Sequence, residues 1–223
     1  MTSMLRASGL QKRFGTAVAL SGVDLHAVEG ECVGVTGPNG SGRSTLLKLL
    51  ATVLPPSAGS IDIDGIDAVR APYDARRRLA YVGEHAVAGH GLTASEYLDF
   101  MLSARGVPQT RTALDEALSR AAVAADADVD TLSAGNRRRV SLVAAFLAKP
   151  RLLLLDDPFS ALDADARLEF TRWLSELRHA GTTIVTALND ERDVRALCQR
   201  VVRLEVQASG LKPFAVLPTP AAI

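Results

Sequence analysis

A glycine-rich segment between two apolar runs is the feature that most constrains how this chain can fold. The segment has the sequence Gly37-Pro38-Asn39-Gly40-Ser41-Gly42-Arg43-Ser44-Thr45. The run before it, Cys32 to Val35, predicts a buried strand, and the run after it, Leu46 to Leu50, predicts the first turns of a helix. A strand, a glycine-rich loop and a helix in this order predict an α/β fold with a phosphate-binding loop.

Each part of this loop has a physical reason to bind a phosphate group. Glycines tolerate positive φ, and their small size lets successive backbone N–H groups point at one anion. The helix that follows adds the positive end of its dipole. We expect Ser44 to place its hydroxyl on Mg²⁺. An ordinary glycine-rich turn would require neither the flanking elements nor Ser44-Thr45, although Arg43 stands where the pattern has lysine.

Composition restricts the partners that this chain can have. Lys+Arg and Asp+Glu number 25 each, so no basic excess indicates a nucleic-acid partner, and we expect none. Lysine is rare, at positions 12, 48, 149 and 212, so a general preference for arginine offers a neutral explanation of Arg43. No apolar run approaches the roughly 18 residues that span a bilayer, and the N-terminus lacks a signal-peptide pattern. We therefore expect a cytoplasmic protein.

The two cysteines indicate neither a metal site nor an oxidising compartment. Cys32 and Cys198 are far apart in the sequence and share no metal-ligand spacing. Cys32 lies in the predicted strand before the loop, and we interpret it as a small buried apolar residue.

The order of predicted elements divides the chain into regions. Short strands with turns are predicted to about residue 66, a strand at 79–82, and helices from about 92 to 148, where Thr93 and Glu96 have capping-box spacing. A strand, a helix and a strand follow at 152–155, 165–179 and 183–186. This order predicts a parallel core, an N-terminal antiparallel β subdomain and a helical subdomain inserted at about 86–148. We expect one domain over 1–206 and a loosely attached tail over 207–223.

A second motif, Arg151-Leu152-Leu153-Leu154-Leu155-Asp156-Asp157-Pro158, ends a predicted buried strand with two carboxylates. Doubly wound sheets bind their ligands at the carboxyl ends of strands. An acidic strand end is common by itself, but it is informative in a chain that also has a phosphate loop. We expect Asp156 to hold Mg²⁺ opposite Ser44.

A third motif, Leu132-Ser133-Ala134-Gly135-Asn136, precedes a helix that we predict to begin at Arg137. With it the chain resembles the ATP-binding subunits of ABC transporters over residues 5–205. The motif resembles the Leu-Ser-Gly-Gly-Gln signature of this family, with alanine third and asparagine fifth. Ser160-Ala161-Leu162-Asp163 is similar to the family's D-loop. Phe14 stands where the family has an aromatic residue that stacks on adenine.

The resemblance implies cofactors, partners and a location. ATP would bind from Gly37 to Thr45 with Mg²⁺, and the expected metal ligands are Ser44, Asp156 and Glu84. Two subunits would pack head to tail, so that Ser133 and Gly135 of one face the ATP of the other. ATP would close this dimer and hydrolysis would open it, which would drive a separate transmembrane permease. The subunit would then be peripheral on the inner face of the cell membrane.

Four positions depart from the family pattern, and the expected catalytic residues Asp157, Asn189 and Glu84 are among them. Arg43 replaces a lysine that contacts phosphates, and its planar fork is bulkier. Asp157 replaces a glutamate that activates water, and a 1 Å misplacement can cost about 100-fold in rate. Asn189 replaces a histidine beside the γ-phosphate, and an amide cannot carry a charge. Glu84 falls where the family usually has glutamine. We therefore expect slow hydrolysis.

Several alternatives stay open at this stage. Gly83-Glu84-His85 resembles exporters related to gliding-motility systems, whereas Leu132–Gly135 with Asp157-Pro158-Phe159 resembles the haem-exporter branch, so the cargo is not determined. The leading hypothesis is the ATPase subunit of an exporter. The alternative is a regulatory subunit that binds ATP while a better-equipped partner hydrolyses it. A DNA-repair or translation factor fits poorly, since it would need a coiled-coil insertion or a second cassette.

Two further features have simple explanations. His85 and His90 are candidates for a replacement catalytic histidine, but solvent-facing loop residues are the simpler interpretation. The run Arg137-Arg138-Arg139 is interpreted as a solvated helix face rather than a nucleic-acid patch.

Overall fold

The computed structural model describes residues 2–84, 89–205 and 215–218, the last group by backbone alone. The hypothesis about His85 and most of the predicted tail lie outside these ranges. The chain divides into two compact units. We call residues 1–83, 150–157 and 178–223 the core unit, and residues 84–149 and 158–177 the helical unit. The predicted helical insertion, about 86–148, lies within the helical unit, which also includes residues 158–177.

The elements alternate in the order expected for an α/β protein. The strands are β1 (Ser3–Phe14), β2 (Ala17–Val28), β3 (Cys32–Thr36), β4 (Ala58–Ile63), β5 (Ile66–Asp67), β6 (Leu79–Val82), β7 (Leu152–Asp156), β8 (Thr183–Ala187), β9 (Arg200–Arg203) and β10 (Ala215–Pro218). The helices are α1 (Arg43–Leu50), α2 (Pro72–Arg78), α3 (Ala94–Ala104), α4 (Arg111–Arg120), α5 (Ala134–Leu147), α6 (Ala164–His179) and α7 (Glu191–Leu197).

The core unit contains two sheets. One is antiparallel with the order β2-β1-β4-β5, and the other has the order β10-β9-β3-β8-β7-β6. In the second sheet every pair from β9 to β6 is parallel, and β10 adds antiparallel to β9, so part of the predicted tail is a strand. These sheets confirm the predicted fold class. The N-terminal strands are longer than the sequence indicated, since β1 and β2 have 12 residues each.

The glycine-rich loop is fixed at both ends by burial. All of β7 and β8 is buried, as is most of β3, which is typical of parallel strands covered on both faces. Helix α1 packs on β7 and β8 through Leu46, Leu47, Leu49 and Leu50, each with no exposed surface. Fully burying a leucine side chain contributes about 1.5–3 kcal/mol. The loop between β3 and α1 is therefore held by the apolar core on both sides.

The helical unit forms around α3, α4, α5 and most of α6. Thr93 and Glu96 form the predicted capping box, in which the Thr93 N–H donates to the Glu96 carboxylate at 2.9 Å. That backbone hydrogen bond lowers the pKa of Glu96. Trp173 packs on Phe146 and Phe170, with ring centroids 4.5 and 4.9 Å apart. Within the described ranges, no helix has the length and apolarity that a membrane crossing requires.

The two cysteines lie side by side in the core unit. Their distance apart in the sequence gave no indication of this contact. Their Sγ atoms are 3.3 Å apart, and Cys32 and Cys198 are 3 % and 5 % exposed. Both thiols are free. The hydrogen bond to Cys32 and the burial of the side chain raise the pKa of the Cys198 thiol well above its ordinary range.

We expect neither thiol to react quickly with a chromogenic disulfide reagent in the native protein. A raised pKa keeps the Cys198 thiol protonated at neutral pH, and the thiolate is the reactive form. Both thiols should react once denaturant opens the core. The measurement is the number of reactive thiols before and after unfolding, with Cys32→Ala and Cys198→Ala as controls that leave one thiol each. Fast reaction of either thiol in the native protein would contradict the burial of the pair.

Candidate functional site

The glycine-rich loop has three glycines at positive φ. The φ angles of Gly37, Gly40 and Gly42 are +149°, +81° and +91°. A Cβ at Gly37 would lie 2.3 Å from the carbonyl oxygen of Leu204, and one at Gly42 would lie 2.7 Å from that of Ala19. Gly40 has nothing near the equivalent position. Backbone conformation and space therefore both require glycine at residues 37 and 42, and conformation alone favours it at residue 40.

One hydroxyl of the loop has no hydrogen-bond partner. Ser41 is 5 % exposed, and its Oγ atom is buried without a partner among the described residues. The same loop ends at Gly42, the residue that caps the N-terminus of α1 without a side-chain hydrogen bond. Because buried polar atoms are nearly always paired, the free hydroxyl and the uncapped helix end suit a ligand that accepts hydrogen bonds.

Ser44 and Asp156 lie together, as the sequence predicted. The Ser44 hydroxyl donates to Asp156 Oδ1 at 3.0 Å, and Asp156 is only 2 % exposed. The hydroxyl of Tyr81, at the end of β6, is 3.5 Å from Asp156 Oδ2. A buried carboxylate beside a hydroxyl is a donor set that suits a hard cation such as Mg²⁺. Sequence reasoning did not identify Tyr81 as a site residue.

Arg43, Asn189 and Asp157 are joined in one hydrogen-bonded network. Arg43 Nη2 donates to Asn189 Oδ1 at 2.5 Å, and Asn189 Nδ2 donates to Asp157 Oδ2 at 2.9 Å. The Arg43 guanidinium also donates to the Gly37 carbonyl and, at 3.4 Å, to Asn39 Oδ1. We call Arg43, Asn189 and Asp157 the linked triad.

The order of the strands explains why Asn189 stands in the middle of the linked triad. Strand β8 lies between β3 and β7 in the parallel sheet. The carboxyl ends of parallel strands meet at the same edge, where the loop follows β3, Asn189 follows β8 and Asp157 follows β7. Asp157 is in addition held at φ +47° while its N–H donates to the Ala187 carbonyl at 3.0 Å.

Phe14 lies in the core unit at the end of β1, and half of its surface is exposed. Its exposed fraction is 50 %. Lys12 Nζ lies 5.1 Å from the centre of the ring and donates to the Pro55 carbonyl at 2.7 Å. The ring is thus accessible to a planar group, and Lys12 beside it was missed by sequence reasoning.

The signature motif and the D-loop meet within the helical unit. The helix predicted to begin at Arg137 begins at Ala134, because the Ser133 hydroxyl caps it by accepting from the Asn136 N–H at 3.2 Å. A Cβ at Gly135 would lie 2.6 Å from the carbonyl oxygen of Ala161. Glycine at residue 135 therefore allows the close contact between the two motifs.

Two of the three arginines after the signature, Arg138 and Arg139, do not lie on the solvated face that the sequence indicated. Arg138 is 4 % exposed and donates to the carbonyl of Glu84 at 2.7 Å. Arg139 pairs with Asp163 of the D-loop at 2.5 Å. Periodicity missed these roles because the partners come from other segments of the helical unit. Glu84 itself is exposed, and His90 lies between Gly89 and Gly91, whose N–H groups donate to Asp130.

The predicted site residues are therefore divided between the units. The core unit holds Phe14, residues 37–45, Asp156, Asp157 and Asn189, and the helical unit holds Glu84, Ser133 and Gly135. Hydrogen bonds join Ser44 to Asp156 and link the triad, so these residues form one group at one sheet edge.

Comparison with known proteins decides the family. The profile described as "ABC transporter" matches residues 20–160, which is more than half of the chain. The chain belongs to the ABC transporter family. Among the relatives of this cassette is the daunorubicin resistance ATP-binding protein DrrA3 of Streptomyces coeruleorubidus, 34% identical over 88% of the chain and 64% of its own length. Another is a probable sulfate/thiosulfate import ATP-binding protein CysA of Chlorella vulgaris, 36% identical over 88% of the chain and 85% of its own length.

Solved structures give the same fold for the cassette. An ATP-binding subunit of an ABC transporter superposes with a TM-score of 0.85 and 27% identity, covering 93% of this chain and 89% of that one. The cassette MJ0796, in a dimeric post-hydrolysis state bound to ADP and Pi, superposes with a TM-score of 0.84 and 25% identity, covering 98% and 100%. The α/β fold is thus that of ABC ATP-binding cassettes. The names of the relatives include both resistance and import proteins, so they do not fix a direction of transport.

Proposed function

We propose that this cassette binds ATP with Mg²⁺ and uses its hydrolysis to power a separate transmembrane permease. The observation that carries the proposal is the pair formed by the buried Asp156 and the half-buried Ser44, 3.0 Å apart beside a glycine-rich loop that ends at a helix N-terminus. The pair offers a carboxylate and a hydroxyl to a cation, and the loop offers N–H groups to an anion. A nucleotide with its metal matches both.

The residues of the core unit fit a Mg²⁺–ATP complex part by part. The loop from Gly37 to Thr45 would hold the phosphates, helped by the unpartnered Ser41 hydroxyl. Asp156 and Ser44 would hold Mg²⁺. Bound Mg²⁺ would supply positive charge to the phosphate oxygens. The half-exposed ring of Phe14 would stack on adenine.

Hydrolysis by this cassette is proposed to be slow. Asp157 would orient the attacking water, with Asn189 beside it at 2.9 Å. A well-placed general base contributes about 10²–10⁴-fold to a rate, and a carboxylate one methylene short of its position forfeits part of that contribution. The second candidate function, an ATP-binding regulatory subunit with a more active partner, is favoured by the linked triad, since all three of its members depart from the family pattern.

The partners follow from the family and from the signature. Ser133 is exposed at the N-terminus of α5, so we propose that Ser133 and Gly135 face the ATP of a second ATP-binding subunit. The dimeric state of MJ0796 supports this arrangement. We further propose an exporter, attached through its permease to the inner face of the cell membrane. The pattern around Glu84 supports this direction.

Saturable binding of a fluorescent ATP analogue that depends on Mg²⁺ is the expected result for the purified chain. The reason is that the loop geometry depends on backbone and glycines rather than on residue 43. Titration with Mg²⁺ and with a chelator measures the two contributions separately. Binding that stays absent at millimolar nucleotide would refute the proposal. ATPase turnover measured with and without the permease then distinguishes the two candidate functions, an active ATPase subunit and a regulatory subunit.

A further inference from the structure

Arg43 donates hydrogen bonds to three oxygen atoms of its own protein. Its Nη1 donates to the Gly37 carbonyl, and its Nη2 donates to Asn189 Oδ1 at 2.5 Å and to Asn39 Oδ1 at 3.4 Å. Gly37 and Asn39 belong to the loop, so those contacts are local. Asn189 lies 146 positions along the chain, so its contact joins the loop to another strand end.

We propose that Asn189 is a positioning residue with two opposed effects: it competes with the phosphates of ATP for Arg43, and it orients Asp157. This rests on the proposed function, since it concerns ATP on the loop. A guanidinium binds a phosphate oxygen more strongly than an amide oxygen, because both partners are then charged. Arg43 must nevertheless release Asn189 Oδ1 before its Nη2 can turn to a phosphate, and that release reduces the affinity for ATP.

The orientation of the Asn189 amide is set by its two partners. The amide oxygen can only accept and the amide nitrogen can only donate. Since Arg43 offers only donors, it holds the oxygen and leaves the nitrogen for Asp157 Oδ2 at 2.9 Å. Asp157 thus receives a fixed hydrogen bond on a backbone that is already constrained at φ +47°. Removing the amide therefore removes one hydrogen bond from Arg43 and one from Asp157.

Asn189→Ala is the variant that separates the two effects. We expect it to bind a non-hydrolysable ATP analogue with Mg²⁺ about threefold to tenfold more tightly, the size of one exposed charge-assisted hydrogen bond. Its single-turnover hydrolysis should be slower than that of the unaltered chain, because Asp157 loses its orienting donor. A residue that only maintained the structure would weaken binding and slow hydrolysis together.

Two further variants make the test specific. In an Arg43→Ala background, Asn189→Ala should leave affinity unchanged, because no guanidinium competes. Asp190→Ala disturbs the neighbouring cap of α7, where Asp190 accepts from the Arg192 N–H at 2.8 Å, and should not tighten binding. Thermal unfolding of each variant verifies that it is folded.

The proposal is supported if Asn189→Ala binds the analogue more tightly and hydrolyses ATP more slowly when Arg43 is present, and if the tighter binding is absent in the Arg43→Ala background. Unchanged or weaker binding by Asn189→Ala, an equal gain in the Arg43→Ala background, or the same gain in Asp190→Ala would overturn it while the unaltered chain still binds ATP. If the unaltered chain binds no ATP, the proposed function fails, and this inference fails with it.

Discussion

The triple variant Arg43→Lys/Asp157→Glu/Asn189→His is expected to hydrolyse ATP about 10²–10⁴-fold faster than the unaltered chain, the contribution of a well-placed general base. Glutamate moves the carboxylate toward the water that attacks. Histidine restores a group that can carry charge beside the γ-phosphate. Lysine replaces a planar fork by a compact ammonium. These groups act mainly in the transition state, so the larger change should be in turnover rather than in ATP affinity.

The structure adds a reason why the three changes belong together. Asn189 Oδ1 is 2.5 Å from Arg43 Nη2, so a histidine at 189 would lie against a guanidinium. A neighbouring positive charge lowers the pKa of histidine and would keep it neutral. We expect Asp157→Glu/Asn189→His to gain more in hydrolysis rate than Arg43→Lys alone, and the triple variant to gain most. The gains should not simply multiply, because the effects of groups that act on one transition state are not additive.

Single-turnover hydrolysis and a binding titration on the variants measure this ranking. Asp156→Asn in the triple background is the control, since it should abolish the gain if the rate comes from this site. If Arg43→Lys alone recovers most of the rate, positioning of the phosphates in the loop is the limiting defect. If the unaltered chain already matches the triple variant, Asp157 and Asn189 are adequate and the prediction of slow hydrolysis is wrong.

Gly42→Ala is expected to destabilise the cassette far more than Gly40→Ala, although the two glycines have similar φ angles of +91° and +81°. Positive φ costs an alanine about 1–3 kcal/mol at either position. At residue 42 the new Cβ would also lie 2.6 Å from Leu20 Cδ2 and 2.7 Å from the Ala19 carbonyl oxygen, whereas at residue 40 it meets nothing within 4 Å. Overpacking of this kind adds about 1–3 kcal/mol.

Denaturant unfolding without nucleotide measures the two free energies of unfolding. Gly40→Ala is the matched control, because it carries the conformational cost without the steric one. Equal losses for the two variants would show that the loop shifts to admit the methyl group at residue 42. A larger loss at residue 42 would show that the contact between the loop and β2 is rigid.

The sequence by itself determined the features that depend on neighbouring residues. The apolar run of β7, the glycines at 37, 40 and 42, and the Thr93 cap follow from periodicity and short-range sterics, and the structure has each of them. The pairing of Ser44 with Asp156 was also predictable, because both motifs place them at the carboxyl edge of a parallel sheet. The start of α5 was predicted wrongly. The sequence pattern placed it at Arg137, whereas the helix begins three residues earlier, at Ala134, directly after its cap Ser133.

Only the tertiary structure decided the contacts between distant residues that no motif relates. The contact of Cys32 with Cys198, the burial of Arg138 and the linked triad each join segments that no periodicity relates. The triad depends on β8 lying between β3 and β7, which brings Asn189 between Arg43 and Asp157. Strand order is set by how the helices cover the whole sheet, and so no local stretch of sequence encodes it.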